Sequence, residues 1–227
     1  MAGIITHIAI ADRVTGMMDG KIKNLPMFFS GNIAPDSIHS RENFVRDMKK
    51  HTHLRDDIRD ADFLKPENLK PFHERLDYFV RHYCIIGNEE FDLYCGYLTH
   101  LITDELFMKT IRLKFAEEME NLNIKQSDKA FFLNISADLD NIDNRLSQEY
   151  PFKNDPKDTL WGAKDYEIRD YLTSSELTSS KGWLTWSWFD NKKEYTAPKY
   201  ISYESIIDFI DYASNIITYR LKEYNLY

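Results

Sequence analysis

The chain has 227 residues, 43% hydrophobic and 29% charged, with a net charge of −8. That length can bury a sizeable core, while the acidic balance argues against binding long nucleic acid along a basic face. Eight Gly and seven Pro argue against a loop-rich β architecture, two Cys (Cys84 and Cys95) are too few for a disulfide framework, and no window holds the roughly eighteen apolar residues of a membrane span.

No basic leader precedes a long apolar run at the start, so a reducing cytoplasm is the expected compartment. Ile4 to Val14 should open the chain with a helix, with Thr6 as a candidate cap. Asn24 to Ser37 carries Pro26, Gly31 and Pro35 and reads as a loop or a broken helix. Arg41 to Asp57 is charged and reads as a surface loop or short helix. Pro66 to Tyr83 has helical periodicity through Phe72, Leu76, Phe79 and Val80, and Gly87-Asn88 follows as a stop. Glu89 to Asn121 reads as one long helical run with a broad apolar surface. Asp128 to Leu146 is a further helix. Tyr150 to Lys199 holds Pro151, Pro156, Pro198, two Ser/Thr clusters and all four Trp, and reads as a long, partly ordered excursion over the bundle. Its Trp183, Trp186 and Trp188 are either packing anchors or a substrate lid. Ser202 to Tyr224 closes the chain with apolar residues at three- and four-residue spacing. The expected fold is all-α: a single-domain helical bundle spanning 1–227, with 150–199 draped over it.

Chemistry concentrates in the first hundred residues, which contain all seven histidines. His100 and Asp104 lie four residues apart in the apolar run Tyr94 to Phe107, so they share one helix face. Polar groups in such surroundings need partners, and either a mutual hydrogen bond or a metal ion would supply them. His7 lies on the apolar face of the first helix, as a satisfied core histidine or a ligand. Asp36 follows Pro35 on a turn, as an Asx cap or an inward carboxylate. His51-Thr-His53 alternates, so one ring faces in and the other faces solvent. His39, three residues after Asp36, is a further possible ligand or phosphate contact. His73 and Asp77 repeat the four-residue spacing, but between charged flanks that place them on a solvated face. Nitrogen and carboxylate donors without thiolate suit zinc, with manganese or iron also possible.

The ordered series Thr6-His7, Gly31-Asn-Ile-Ala-Pro-Asp36, a His after a basic run, and Gly96-Tyr-Leu-Thr-His-Leu-Ile-Thr-Asp104 resembles the zinc-dependent phospholipase C family, which is similar to the P1-type nucleases. The resemblance covers roughly residues 4 to 107. It implies an all-helical metal hydrolase acting on phosphate esters, phosphodiester or phospholipid-like, through metal-activated water. It also implies one or two zinc ions: Asp36, His53 and His100 on one, Asp104 shared with a second, and His7 helping to hold the second. Asp36 and Asp104 are then the catalytic carboxylates. Secreted relatives bind a further metal through downstream histidines and a glutamate. This chain has no histidine after His100, so that site is either absent or built from carboxylates such as Asp138, Asp140 and Asp143. Arg41, Lys49, Lys50 and Arg55 are candidates to neutralise a small phosphate-ester substrate. An HD-type phosphohydrolase needs an adjacent His-Asp pair, which the chain lacks. The alternative outside enzymes is a metal-stapled helical scaffold or interaction module.

Overall fold

The helical spacing of the apolar residues is realised throughout, and the protein is all-α. The structure is a computed structural model and describes residues 1–227 except 165 and 192. In chain order the helices are α1 (Ile4–Met17), α2 (Leu25–Ile33), α3 (Met48–Thr52), α4 (Pro66–Tyr83), α5 (Phe91–Lys109), α6 (Ile111–Asn121), α7 (Lys129–Glu149), α8 (Pro156–Trp161), α9 (Ser174–Leu184) and α10 (Tyr203–Glu223). A 3₁₀ turn, Ala34–Ser40, runs on directly from α2. Among the described residues no helix is long and apolar enough to cross a membrane.

Helix α5 is the axis of the bundle. Every residue from Asp92 to Met108 is buried, as expected for a helix covered on all sides. Its polar residues must therefore be satisfied locally. Thr99 and Thr103 donate to the carbonyls of Cys95 and Thr99, each at 2.9 Å. Helix α2 packs against α5 at backbone contact. A Cβ on Gly31 would meet the Leu93 carbonyl oxygen at 1.8 Å, and one on Gly96 would meet the Phe28 carbonyl oxygen at 1.9 Å. Only glycine permits this approach, and it brings the carbonyl of Asn32 onto α5. The helices α1, α4 and α10 pack around the same axis.

Three expectations about elements change. Glu89 to Asn121 is two helices, broken at Thr110 (φ −122°, ψ −83°). Thr110 donates its hydroxyl to Leu106 O at 2.8 Å, and the break turns the apolar stripe of α6 onto the core through Ile111, Phe115 and Met119. Thr6 does not cap α1. The carboxylate of Asp143, on α7, accepts from Ile5 N, Thr6 N and Thr6 Oγ1 at 2.9–3.1 Å, so the free amide donors of α1 are satisfied from a distant helix. The 150–199 excursion is also more regular than its composition suggests, because its turn-forming residues serve as caps. Asp155 accepts from Asp158 N ahead of α8, and Thr173 with Glu176 forms a capping box at α9. Leu160, Leu172, Leu177 and Trp188 from this segment enter the core, whereas Trp186 is exposed.

Helices α4, α5 and α10 are tied at one buried carboxylate. Glu105 accepts from His73 Nε2 (2.8 Å), Lys109 Nζ (2.6 Å) and Arg220 Nη1 (2.7 Å). Burial works to raise its pKa, but Arg220, Lys109 and His73 together hold it at about 2, below its ordinary 4.5. A carboxyl depressed on folding contributes stability above its unfolded pKa and loses it as pH falls through the folded one. Glu105→Gln is therefore expected to cost about 3 kcal/mol at neutral pH, with the deficit fading between pH 4.5 and 2. Denaturant unfolding of both proteins down that pH series measures it. A constant difference at every pH would show that the ionised carboxylate is not the source.

Candidate metal centre

Each candidate side chain is delivered by its local structure. His7 enters from the buried face of α1, and His100 and Asp104 from adjacent turns of α5. Asp36 stands on the 3₁₀ turn that Pro35 opens. His53 follows α3 and is buried, while His51 points outward, 3.1 Å from Asp56 Oδ2.

The rings are held from behind. His53 Nδ1 donates to Lys49 O at 2.8 Å, and His100 Nδ1 donates to Asn32 O at 2.7 Å. These bonds fix the tautomers, since a carbonyl accepts only from a protonated ring nitrogen. Both Nε2 atoms are then bare lone pairs, and they face each other at 3.2 Å. His53 Nε2 also lies 3.3 Å from Asp36 Oδ1 and 3.5 Å from Asp104 Oδ2. His100 Nε2 is 3.7 Å from Asp104 Oδ2. The His7 ring stacks on His100 at 3.7 Å, with its Nε2 3.4 Å from Asp104 Oδ1. Neither His7 nitrogen nor Asp104 Oδ2 has a hydrogen-bond partner.

Such convergence of lone pairs and negative charge could be satisfied by a bound cation. Protons are poor candidates for that role. Burial pushes His53 down to about 4 and His100 well below its ordinary value. Burial works to raise the Asp36 pKa, but Lys49, whose Nζ lies 2.5 Å from Oδ1, holds it well below the usual carboxylate range. The donors fall into two groups that could hold a metal ion, His7–His100–Asp104 and Asp36–His53–His100, with His100 common to both. The five residues singled out from the sequence are thus brought together. Orphaned ring nitrogens, an orphaned carboxylate oxygen and an N/O donor set are what a borderline divalent ion fits.

Other candidates are placed elsewhere. His39 belongs to neither group and packs edge-on against Phe44. His73 is engaged by Glu105, and Asp77 accepts from Tyr224. No third group forms from the downstream carboxylates among the described residues. Asp143 caps α1, and Asp138 accepts the backbone N–H groups of Lys199, Tyr200 and Ile201 at 2.6–2.9 Å. A carboxylate saturated by backbone donors is fastening chain segments together.

A cavity of about 540 Å³ opens beside the cluster, with Asp36, His39 and Lys49 on one wall. Leu139 from α7 and Trp183 and Trp188 from the excursion supply an apolar wall. Of the four cations expected to meet substrate, Lys49 reaches this cavity. Arg41 is bound to Glu176 and to Tyr171 O, Lys50 to Asp47, and Arg55 to Asp60. Two arginines not singled out from the sequence, Arg46 and Arg112, also line it. Comparisons with protein-family models, with curated proteins and with solved structures find no match to the chain.

Proposed function

We propose that the protein is a metal-dependent phosphoesterase acting on a small phosphate ester at the edge of the His–Asp cluster. The observation that carries this reading is the convergence of two bare imidazole nitrogens, from His53 and His100, on the carboxylates of Asp36 and Asp104. Asp36, His53 and His100 would hold one ion; His100 has a single free lone pair, so a second ion would rest on Asp104 and His7, with zinc the best match to the donors and manganese or iron the alternatives. When bound, such ions supply Lewis acidity toward a phosphoryl oxygen and make an attacking water more acidic.

The protein's own residues do the remaining work. Asp36 both belongs to the cluster and lines the cavity, so its carboxylate is placed to orient a water entering from that side. Lys49 balances the Asp36 charge. The Arg46 guanidinium carbon lies over the Phe132 ring, 3.8 Å from its centroid, and adds positive charge at the cavity wall. The cavity lining is mixed, with Arg46, Lys49 and Arg112 beside the carboxylates of Asp36, Asp60, Asp140 and Asp143, so its cationic side suits a small anion and not a long polyanion. Trp183, Trp188 and Leu139 offer contact to an organic substituent.

The test is metal analysis of the purified protein, joined to turnover of a chromogenic phosphomonoester and a phosphodiester. Turnover that stops on chelation and returns with added zinc or manganese is the expected result. Full metal occupancy with no hydrolysis across a broad panel of phosphate esters would defeat the enzyme reading and leave a metal-stapled helical scaffold.

A further inference from the structure

Arg112 stands in the first turn of α6, and the break at Thr110 carries its side chain into the protein. It is 7% exposed. Despite that burial, it forms no ion pair or hydrogen bond among the described residues, and its Nε has no partner. Its guanidinium carbon lies 4.9 Å from the centroid of the Phe131 ring. The nearby carboxylate of Asp60 is paired with Arg55 at 3.3 Å, and Arg46 and Arg55 add like charge to its surroundings. A guanidinium whose Nε is buried without an acceptor is costly to keep, and its terminal N–H groups are left for whatever enters the cavity. Arg112 lines the same cavity as Asp36 and Lys49, so a ligand entering there meets its unfilled donors.

We infer that Arg112 is the oxyanion receptor of the cavity, holding the phosphate group of the substrate in its planar fork while the His–Asp cluster lies on the other side of that group. A guanidinium matches two phosphate oxygens at once, a geometry that an ammonium group lacks. This deepens the phosphoesterase reading and rests on it for the identity of the ligand. Arg112 is a positioning residue in this scheme, because it orients the phosphate and exchanges no proton with it.

The experiment uses the full chain stripped of metal by chelation, with inorganic phosphate as the probe. Phosphate affinity is read by calorimetry, and the melting temperature is read with and without phosphate. Wild type is expected to bind and to melt higher with phosphate. Arg112→Met is expected to bind about tenfold to hundredfold more weakly, the loss of a charge-assisted pair. Its melting temperature without phosphate should equal or exceed that of wild type, since an unpaired buried charge has been replaced by an apolar chain of similar length. Arg112→Lys, with charge but no fork, should bind at an intermediate affinity.

Absence of phosphate binding by wild type at 10-millimolar order overturns the proposal without recourse to any variant. Unchanged affinity in Arg112→Met overturns it too. If that variant does not fold, Arg112→Lys decides: affinity equal to wild type overturns the role of the fork, and weaker affinity with an unaltered metal-free melting temperature supports it. Because no metal is present, failure here is separable from failure of the metal reading, which metal analysis of wild type decides on its own.

Discussion

His100→Ala is expected to abolish metal loading and to erase the difference in melting temperature between metal-bound and chelated protein. His100 is the one residue common to both donor groups, so its loss leaves each group a ligand short. Even outer-shell partners of metal ligands typically account for ten- to a hundredfold in affinity, and a direct ligand should exceed that. An ion present at about a thousand times its Kd stabilises the folded state by about 4 kcal/mol, or roughly 8–16 °C in a chain of this size. The variant also loses stability that has nothing to do with metal. Asn32 O is orphaned in the interior when the 2.7 Å bond from Nδ1 goes, the His7 ring loses its stacking partner, and the removed ring leaves a void in a fully buried wall. His73→Ala is the matched control, because its His-x-x-x-Asp spacing is the same. It loses one bond to Glu105 from a ring that is 43% exposed, and it should load metal as wild type does. Melting each protein with and without chelator separates the two contributions. Equal effects of the two substitutions on metal loading would mean that the centre does not include His100.

The two His-x-x-x-Asp pairs show what was legible in the sequence. Both have the spacing that puts two side chains on one helix face. Only the apolar flanks of His100 and Asp104 announced burial, and burial is what turns a polar pair into an unsatisfied one. The charged flanks of His73 pointed to a solvated helix face, and there the ring found a carboxylate on a neighbouring helix. His7 and Asp36 likewise sat beside apolar or turn residues, whereas local sequence left His51 and His53 open and only the family resemblance pointed to His53.

What the sequence concealed is where long-range partners go. Asp138 and Asp143 look like carboxylates free for a metal, and nothing local reveals that each accepts backbone N–H groups more than sixty residues distant in the chain. Arg112 reads as an ordinary charge in Ile111-Arg-Leu-Lys114. Its apolar neighbours Ile111 and Phe115 were the available hint of burial, but the lack of a carboxylate beside it is a fact of three dimensions. The break at Thr110 carries no Gly or Pro, so a pattern that looked continuous concealed the turn that brings Arg112 to the cavity. In 150–199 the prolines and Ser/Thr clusters signalled interruption, and they do interrupt; they also cap the helices that follow, a double use that composition cannot separate.

Asp104→Asn is expected to reduce kcat/KM for a phosphate ester by at least 10²–10³-fold, on the order of losing one principal electrostatic contact in an active site. Asp104 lies 3.4, 3.5 and 3.7 Å from the Nε2 atoms of His7, His53 and His100, so it is the negative charge that all three rings surround. The amide has the same shape and can keep the bond that Oδ1 accepts from Ala2 N at 3.0 Å, so the metal-free fold should persist. What changes is charge and donor sense: a neutral group, with either its oxygen or its NH₂ turned toward the imidazole lone pairs, no longer attracts a divalent ion. His53→Ala should fall as far, because it removes an imidazole nitrogen that lies 3.3 Å from Asp36 and 3.5 Å from Asp104. Asp140→Asn provides the contrast. Asp140 lines the same cavity, is exposed and belongs to neither donor group, so its activity should stay within a few-fold of wild type, as surface substitutions usually do. Rates are compared at measured metal content, which separates loss of the ion from loss of chemistry on a retained ion. Turnover by Asp104→Asn equal to that of Asp140→Asn would place the reaction outside the His–Asp cluster.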